Sequence, residues 1–92
     1  MQKRLELKFY GQVQGIGLRW KIQAKAKELA LVGWVKNCPD GAVEAVADGL
    51  DENLQAFLSW CYNSGINIDQ LETHSGEATN EFNDFKIVYP ME

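Results

Sequence analysis

Leu5, Leu7 and Phe9 alternate with Arg4, Glu6 and Lys8. A period of two marks a strand with one buried face, and it predicts a strand over residues 3–10. After a glycine-rich turn the period changes. Leu18, Ile22, Ala26 and Leu29 recur at helical spacing with Lys21, Lys25, Lys27 and Glu28 between them, which predicts a helix over 18–30. A second strand is expected over 32–38. Pro39, Asp40 and Gly41 then make a turn, in which proline presets φ and glycine accepts a positive one. A third strand over 42–48 alternates Val43, Ala45 and Ala47 against Glu44 and Asp48, completing a β-hairpin whose core face is small enough to pack close beneath a helix.

Asp51 and Glu52 suit a helix N-terminus as cap and dipole partner. Leu54, Phe57, Leu58 and Cys61 supply the apolar stripe, Trp60 and Tyr62 widen it as packing residues, and Gly65 offers a stop. A weaker strand is expected over 66–73, anchored by Ile68 and Leu71, and residues 74–81 are polar and turn-like. Phe85, Ile87 and Tyr89 alternate in a last strand that Pro90 ends. The order β-α-β-β-α-β with one further strand is a split-βαβ arrangement. It implies an α+β fold in which one mostly antiparallel sheet carries both helices on one face.

Composition narrows the setting. The 92 residues are expected to form a single domain over 1–92, with a narrow margin of stability because so short a chain buries only a little over half of its unfolded surface. No apolar run reaches the ~18 residues of a membrane span, and Lys3 and Arg4 lead into an alternating segment and not into a signal peptide. The expected location is the cytoplasm, with no membrane partner and a monomer as the default. The net charge of −4 gives no nucleic-acid footprint. Basic residues nonetheless concentrate before residue 37, with Lys86 the one later example, an asymmetry suited either to drawing in a phosphorylated substrate or to ordinary solvation. Cys38 and Cys61 have no metal-ligand spacing and are expected as free thiols. With His74 as the single histidine, expected in solvent, no zinc set is apparent.

The chemistry concentrates in the first turn. Gly11, Gly15 and Gly17 lie between a strand and a helix, and Arg19 opens that helix. Glycine lets the backbone take positive φ, and the first N–H groups of a helix lack intrahelical partners and carry the positive dipole end. Such a turn can close around an oxyanion, and arginine adds a planar charged fork. No Gly-Lys-Ser/Thr follows, so this is not a nucleotide P-loop, and the glycine spacing differs from the dinucleotide fingerprint. Taken alone, glycines in a tight βα turn serve structure as readily as ligand binding.

Residues 11–19 (GQVQGIGLR) resemble the first signature of the acylphosphatase family, G-x-V-Q-G-V-x-F-R, with Ile16 for valine and Leu18 for phenylalanine. Gly33-Trp34-Val35-Lys36-Asn37, with Pro39-Asp40-Gly41 and residues 43–49 after it, resembles the second signature, and FNDFKIVY (82–89) is similar to the last strand. The resemblance implies a ferredoxin-like sandwich with a five-stranded sheet. It implies a metal-independent, cofactor-free enzyme that hydrolyses a small-molecule acyl phosphate to a carboxylate and orthophosphate. Carried over by position, the catalytic residues are Arg19 and Asn37, the latter holding the attacking water. The phosphate-binding donors are Gln14, Gly15, Ile16, Gly17, Leu18 and Arg19. Gln12 and Gln14 are read as shaping the loop, and Trp20 and Trp34 as core or rim, with Trp34 a candidate to pack beside the site.

Three departures stand out. Leu18 changes loop packing, Val88 replaces a frequent arginine, and Ala30 stands where a helix-ending glycine is usual. A left-handed alanine there would cost roughly 1 kcal/mol, so either the helix ends differently or the protein carries that strain. Two other readings compete. The same fold hosts RNA-binding and regulatory modules, although the third strand lacks the aromatic residues of an RNA-binding sheet. Acylphosphatase-like domains also open hydrogenase-maturation proteins directed at carbamoyl phosphate.

Overall fold

The computed structural model describes residues 2–15, 17–63 and 68–89. Its elements are β1 (Gln2–Gly11), α1 (Leu18–Glu28), β2 (Val32–Asn37), β3 (Val43–Leu50), α2 (Asp51–Asn63), β4 (Ile68–Glu77) and β5 (Phe85–Ile87). They build one five-stranded sheet in the order β4-β1-β3-β2-β5. β1 pairs antiparallel with β3 and β4, and β2 pairs antiparallel with β3 but parallel with β5. β1, β2 and β5 therefore run the same way, and their C-terminal ends meet at one end of the sheet.

One face of the sheet is apolar. Leu5, Leu7 and Phe9 lie opposite Ala47, Ala45 and Val43, and Gly33 and Val35 continue the first two rows into β2. All eight are buried. Against them pack Leu18, Ile22 and Ala26 of α1 and Leu54, Phe57 and Cys61 of α2, so both helices share this face. Gly33 is required where it stands: its φ is 147°, and a Cβ there would collide with the Val46 carbonyl. The opposite face is left open, with Glu6, Trp34, Val46 and His74 along one row. No described helix is long and apolar enough to cross a membrane.

The structure alters several expectations. α1 stops at Glu28, and Ala30 takes φ 58°. The Leu31 N–H bonds the Ala26 carbonyl at 2.8 Å and the Ala30 N–H bonds the Lys27 carbonyl at 3.1 Å. That is a Schellman closure with alanine in the left-handed position, so the strain is carried. β4 continues through His74–Glu77, residues expected as a turn, because the β1 ladder pairs Lys3 with Glu77 and Leu5 with Ser75 whatever their polarity. Tyr62 and Trp20 are 64% and 61% exposed and belong to no core stripe. Asp48, expected outward in an alternating strand, is buried, where Arg4 grips it with two hydrogen bonds of 2.8 and 3.0 Å. That ion pair raises the already high pKa of Arg4, with Glu81 adding to the effect. Gly65, Ile66 and Pro90, expected to bound elements, lie outside the described residues.

Candidate active site

The loop leaves β1 through an irregularity. Pairing with β4 shifts register between Tyr10 and Gly11, and such a bulge re-aims the chain at a sheet end. Val13 then drops into the core and fixes the loop from below. Gly15 and Gly17 take φ 78° and 75°. A Cβ at either would meet nothing within 4 Å, so backbone conformation and not space calls for glycine. Ile16 lies outside the described residues.

Gly17 is the N-cap of α1, and its carbonyl accepts the first helical bond, from the Lys21 N–H at 3.1 Å. No side chain caps this end and no acidic residue occupies its first turn. The opening N–H groups, those of Leu18 and Arg19 included, therefore have no intrahelical acceptor and no countercharge beside them. The Leu18 side chain is buried and holds the helix start against the sheet.

Gln14 joins the loop to the β2–β3 hairpin. Its Nε2 donates to the carbonyls of Cys38 at 2.8 Å and Ala42 at 2.9 Å. Those carbonyls also close the hairpin turn, accepting from the Gly41 N–H at 3.1 Å and the Cys38 N–H at 2.8 Å. Asp40 stiffens the turn further by accepting from the Ala42 N–H at 3.0 Å and pairing with Lys8 at 3.3 Å. Those two partners hold its carboxyl below the usual carboxylate range, the Ala42 bond foremost.

Asn37 is the last residue of β2 and half-buried. Register decides its face. Asn37 lies opposite Val43, and Val43 opposite Phe9, both on the apolar side. Residues directly opposite in an antiparallel pair point to the same face. The Asn37 carboxamide is thus on the helix side, at the sheet end where the loop opens. Arg19 sits on the same side, one residue into α1 and half-buried, with its guanidinium 5.2 Å from the centre of the Tyr89 ring. Among the described residues, neither the Asn37 carboxamide nor the Arg19 guanidinium has a hydrogen-bond partner.

The site's other expectations divide. Gln14 shapes the loop as anticipated, through its side chain. Trp34 does not lie beside Asn37: it alternates with Val35 onto the open face, where Lys36 sits 5.2 Å from the centre of its ring. His74 is exposed as expected, but from within β4. Burial raises the pKa of the half-buried Cys38 thiol and pushes that of Cys61 up to about 12, so both favour the protonated form. Sequence reasoning gave Tyr89 no place near Arg19. Its one local signal was parity with Phe85 and Ile87, which puts it on the helix side beyond the end of β5.

Sheet order, connectivity and helix placement define a ferredoxin-like α+β sandwich with its loop, hairpin tip and C-terminal strand gathered at one end. Comparison with known proteins is more specific. The Acylphosphatase family model matches residues 5–87. An acylphosphatase from Marinobacter nauticus is 40% identical over 88 residues, covering 94% of this chain and 96% of its own. One from Thermococcus kodakarensis is 46% identical over 59 residues, 64% of this chain and 65% of that one. The crystal structure of acylphosphatase from Bacillus subtilis superposes with a TM-score of 0.88 at 31% identity, covering 95% of this chain and 99% of that chain. The chain belongs to the acylphosphatase family of enzymes.

Proposed function

We propose that this chain hydrolyses the carboxyl–phosphate bond of acyl phosphates without a metal ion, with Arg19 and Asn37 as its catalytic residues. The observation that carries the reading is the convergence, on one face at one end of the sheet, of an uncapped helix start, a guanidinium and a carboxamide. The phosphate sits against the N–H groups of residues 14–19, with the Arg19 fork on its oxygens. Ile16 belongs to this set by its place in the motif. Asn37, with one donor and one acceptor group on its amide, holds a water for in-line attack.

The water oxygen bonds to phosphorus as the bond to the acyl oxygen breaks. The carboxylate leaves with the bonding pair, and the water's proton passes to the phosphate. A carboxylate is a weak base and needs little protonation to leave. Charge spreads over three phosphoryl oxygens in a loose transition state, so holding those oxygens is the main task. The reading takes residues 1–92 as a single domain and one chain as the working unit, acting in the cytoplasm on a small molecule.

Phosphate release from benzoyl phosphate, in buffer stripped of metal by a chelator, tests it. Turnover is expected in the native protein. The reading fails if hydrolysis requires added metal, or if the Arg19→Lys protein matches the native one.

A further inference from the structure

We infer that the outward face of α1, with Trp20 at its centre and Lys21 and Lys27 to either side, docks on an anionic lipid surface. This is contact with a bilayer, not passage through it, and it replaces the expectation of no membrane partner. It does not depend on the hydrolytic reading above.

Contacts divide the circumference of α1 into three arcs. Leu18, Ile22 and Ala26 enter the core. Gln23 and Lys27 face β5: the Gln23 amide donates to the Phe85 carbonyl at 3.0 Å, and Lys27 pairs with Asp84 at 3.8 Å. Lys21, Ala24, Lys25 and Glu28 face α2, where with Trp60 they line a groove of about 520 Å³. Trp20 belongs to none of these arcs. Helical spacing puts it between the β5 side and the α2 side, opposite the core, and it is 61% exposed.

The net charge of −4 hides a segregation. α1 holds four of the nine Lys and Arg residues and one of the thirteen Asp and Glu residues, so it carries +3 and the rest of the chain −7. Lys25 is paired with Glu28 at 2.7 Å, but the Lys21 ammonium has no partner among the described residues. Glu6, Glu44 and Glu72 stand on the open face of the sheet, away from the helices. The shortest dimension of the molecule is 21 Å, more than two Debye lengths at physiological salt (about 8 Å each), so those acids scarcely oppose an anionic surface at α1.

An indole flanked by ammonium groups suits the bilayer boundary: the ring lies at headgroup level and the cations meet lipid phosphates. Trp60, its ring stacked on Phe57 at 5.9 Å between centroids, adds a fixed apolar wall beside Lys21. A nucleic acid would use the same cations, but one outward indole gives it no row of stacking platforms.

Sedimentation with sucrose-loaded vesicles tests this, using phosphatidylcholine alone and an equal mixture with phosphatidylglycerol. The native protein should bind the mixed vesicles and not the neutral ones, and high salt should release it. Lys21→Gln should weaken binding roughly five-fold, and Lys21→Gln with Lys27→Gln roughly twenty- to thirty-fold. Lys36→Gln, the same charge change on the open face, should bind as the native protein does. Trp20→Phe should bind but lose most of the blue shift in tryptophan emission that the mixed vesicles induce. The three α1 positions are exposed, so the fold should persist, which circular dichroism checks. Equal weakening by Lys36→Gln and Lys21→Gln, or an undiminished blue shift in Trp20→Phe, would overturn the inference. So would no sedimentation with the mixed vesicles; retention on a single-stranded oligonucleotide in that case would assign the surface to nucleic acid.

Discussion

At its first residue α1 has a glycine cap with φ 75°, no capping side chain and no acid in its opening turn. At its last, Leu29, Ala30 and Leu31 return their N–H groups to Lys25, Lys27 and Ala26, and Lys25 and Lys27 stand in the final turn to meet the dipole. Both ends use a left-handed residue, but to opposite effect. The C-terminal end satisfies its own carbonyls, even at the cost of an alanine in a glycine conformation. The N-terminal end leaves its donors open at the sheet end that carries Asn37. A helix end left with neither a capping side chain nor an acid is suited to a ligand's oxygens, and charge follows the same division, since Arg19 adds to the positive end.

That contrast can be broken in graded steps. The largest effect is expected from Arg19→Lys, because a point charge cannot reproduce a planar fork. Phosphate-release kinetics should show kcat/KM reduced by about 10²–10³, with the circular dichroism of the fold unchanged. Gly17→Ala comes next. Space for the methyl exists, but φ 75° does not suit alanine, so urea unfolding should show a loss of roughly 1 kcal/mol, together with weaker phosphate binding. Ala30→Gly should do the reverse at the other end, gaining up to about 1 kcal/mol by relieving the φ of 58° without altering turnover. Equal responses at the two ends would mean that the open end is structural.

The smallest effect concerns pH. Asp40, on the hairpin that carries Asn37, has a carboxyl pKa lowered by the Ala42 N–H and by Lys8. A group depressed in the folded state contributes fully above its unfolded value of about 4, and loses that contribution as pH falls through its folded one. Urea midpoints recorded from pH 6 down to 2 should therefore fall less steeply in Asp40→Asn than in the native protein. Glu81 is held low in the same way, by Arg4 first and Thr79 second, and should steepen the same acid limb.

Much of this was legible in the chain. Leu5, Leu7 and Phe9 announced β1 and its buried face, the Leu18–Ile22–Ala26 stripe announced α1, and the turn between them marked itself with glycines. β4 was legible only at Ile68 and Leu71. Beyond Leu71 this edge strand is exposed on both faces, so no alternation records its last four residues, and main-chain pairing with β1 alone extends it to Glu77. The Arg4–Asp48 pair lies across two strands, invisible to any local pattern. Asn37 could be picked out by motif, but its face depends on the row Phe9–Val43–Asn37, a property of register. The Arg19–Tyr89 contact depends on the parallel pairing of β5 with β2, which places Tyr89 beside the start of α1.

The central claim divides labour between a phosphate grip and a water holder, and the Asn37→Ala protein separates them. Its affinity for inorganic phosphate, followed through the amide resonances of Gly15, Gly17 and Leu18, is measured with its turnover of benzoyl phosphate. The account predicts saturable shifts with near-native affinity and turnover reduced by at least about 10². Near-native turnover, or phosphate that leaves those amides unmoved, would contradict it.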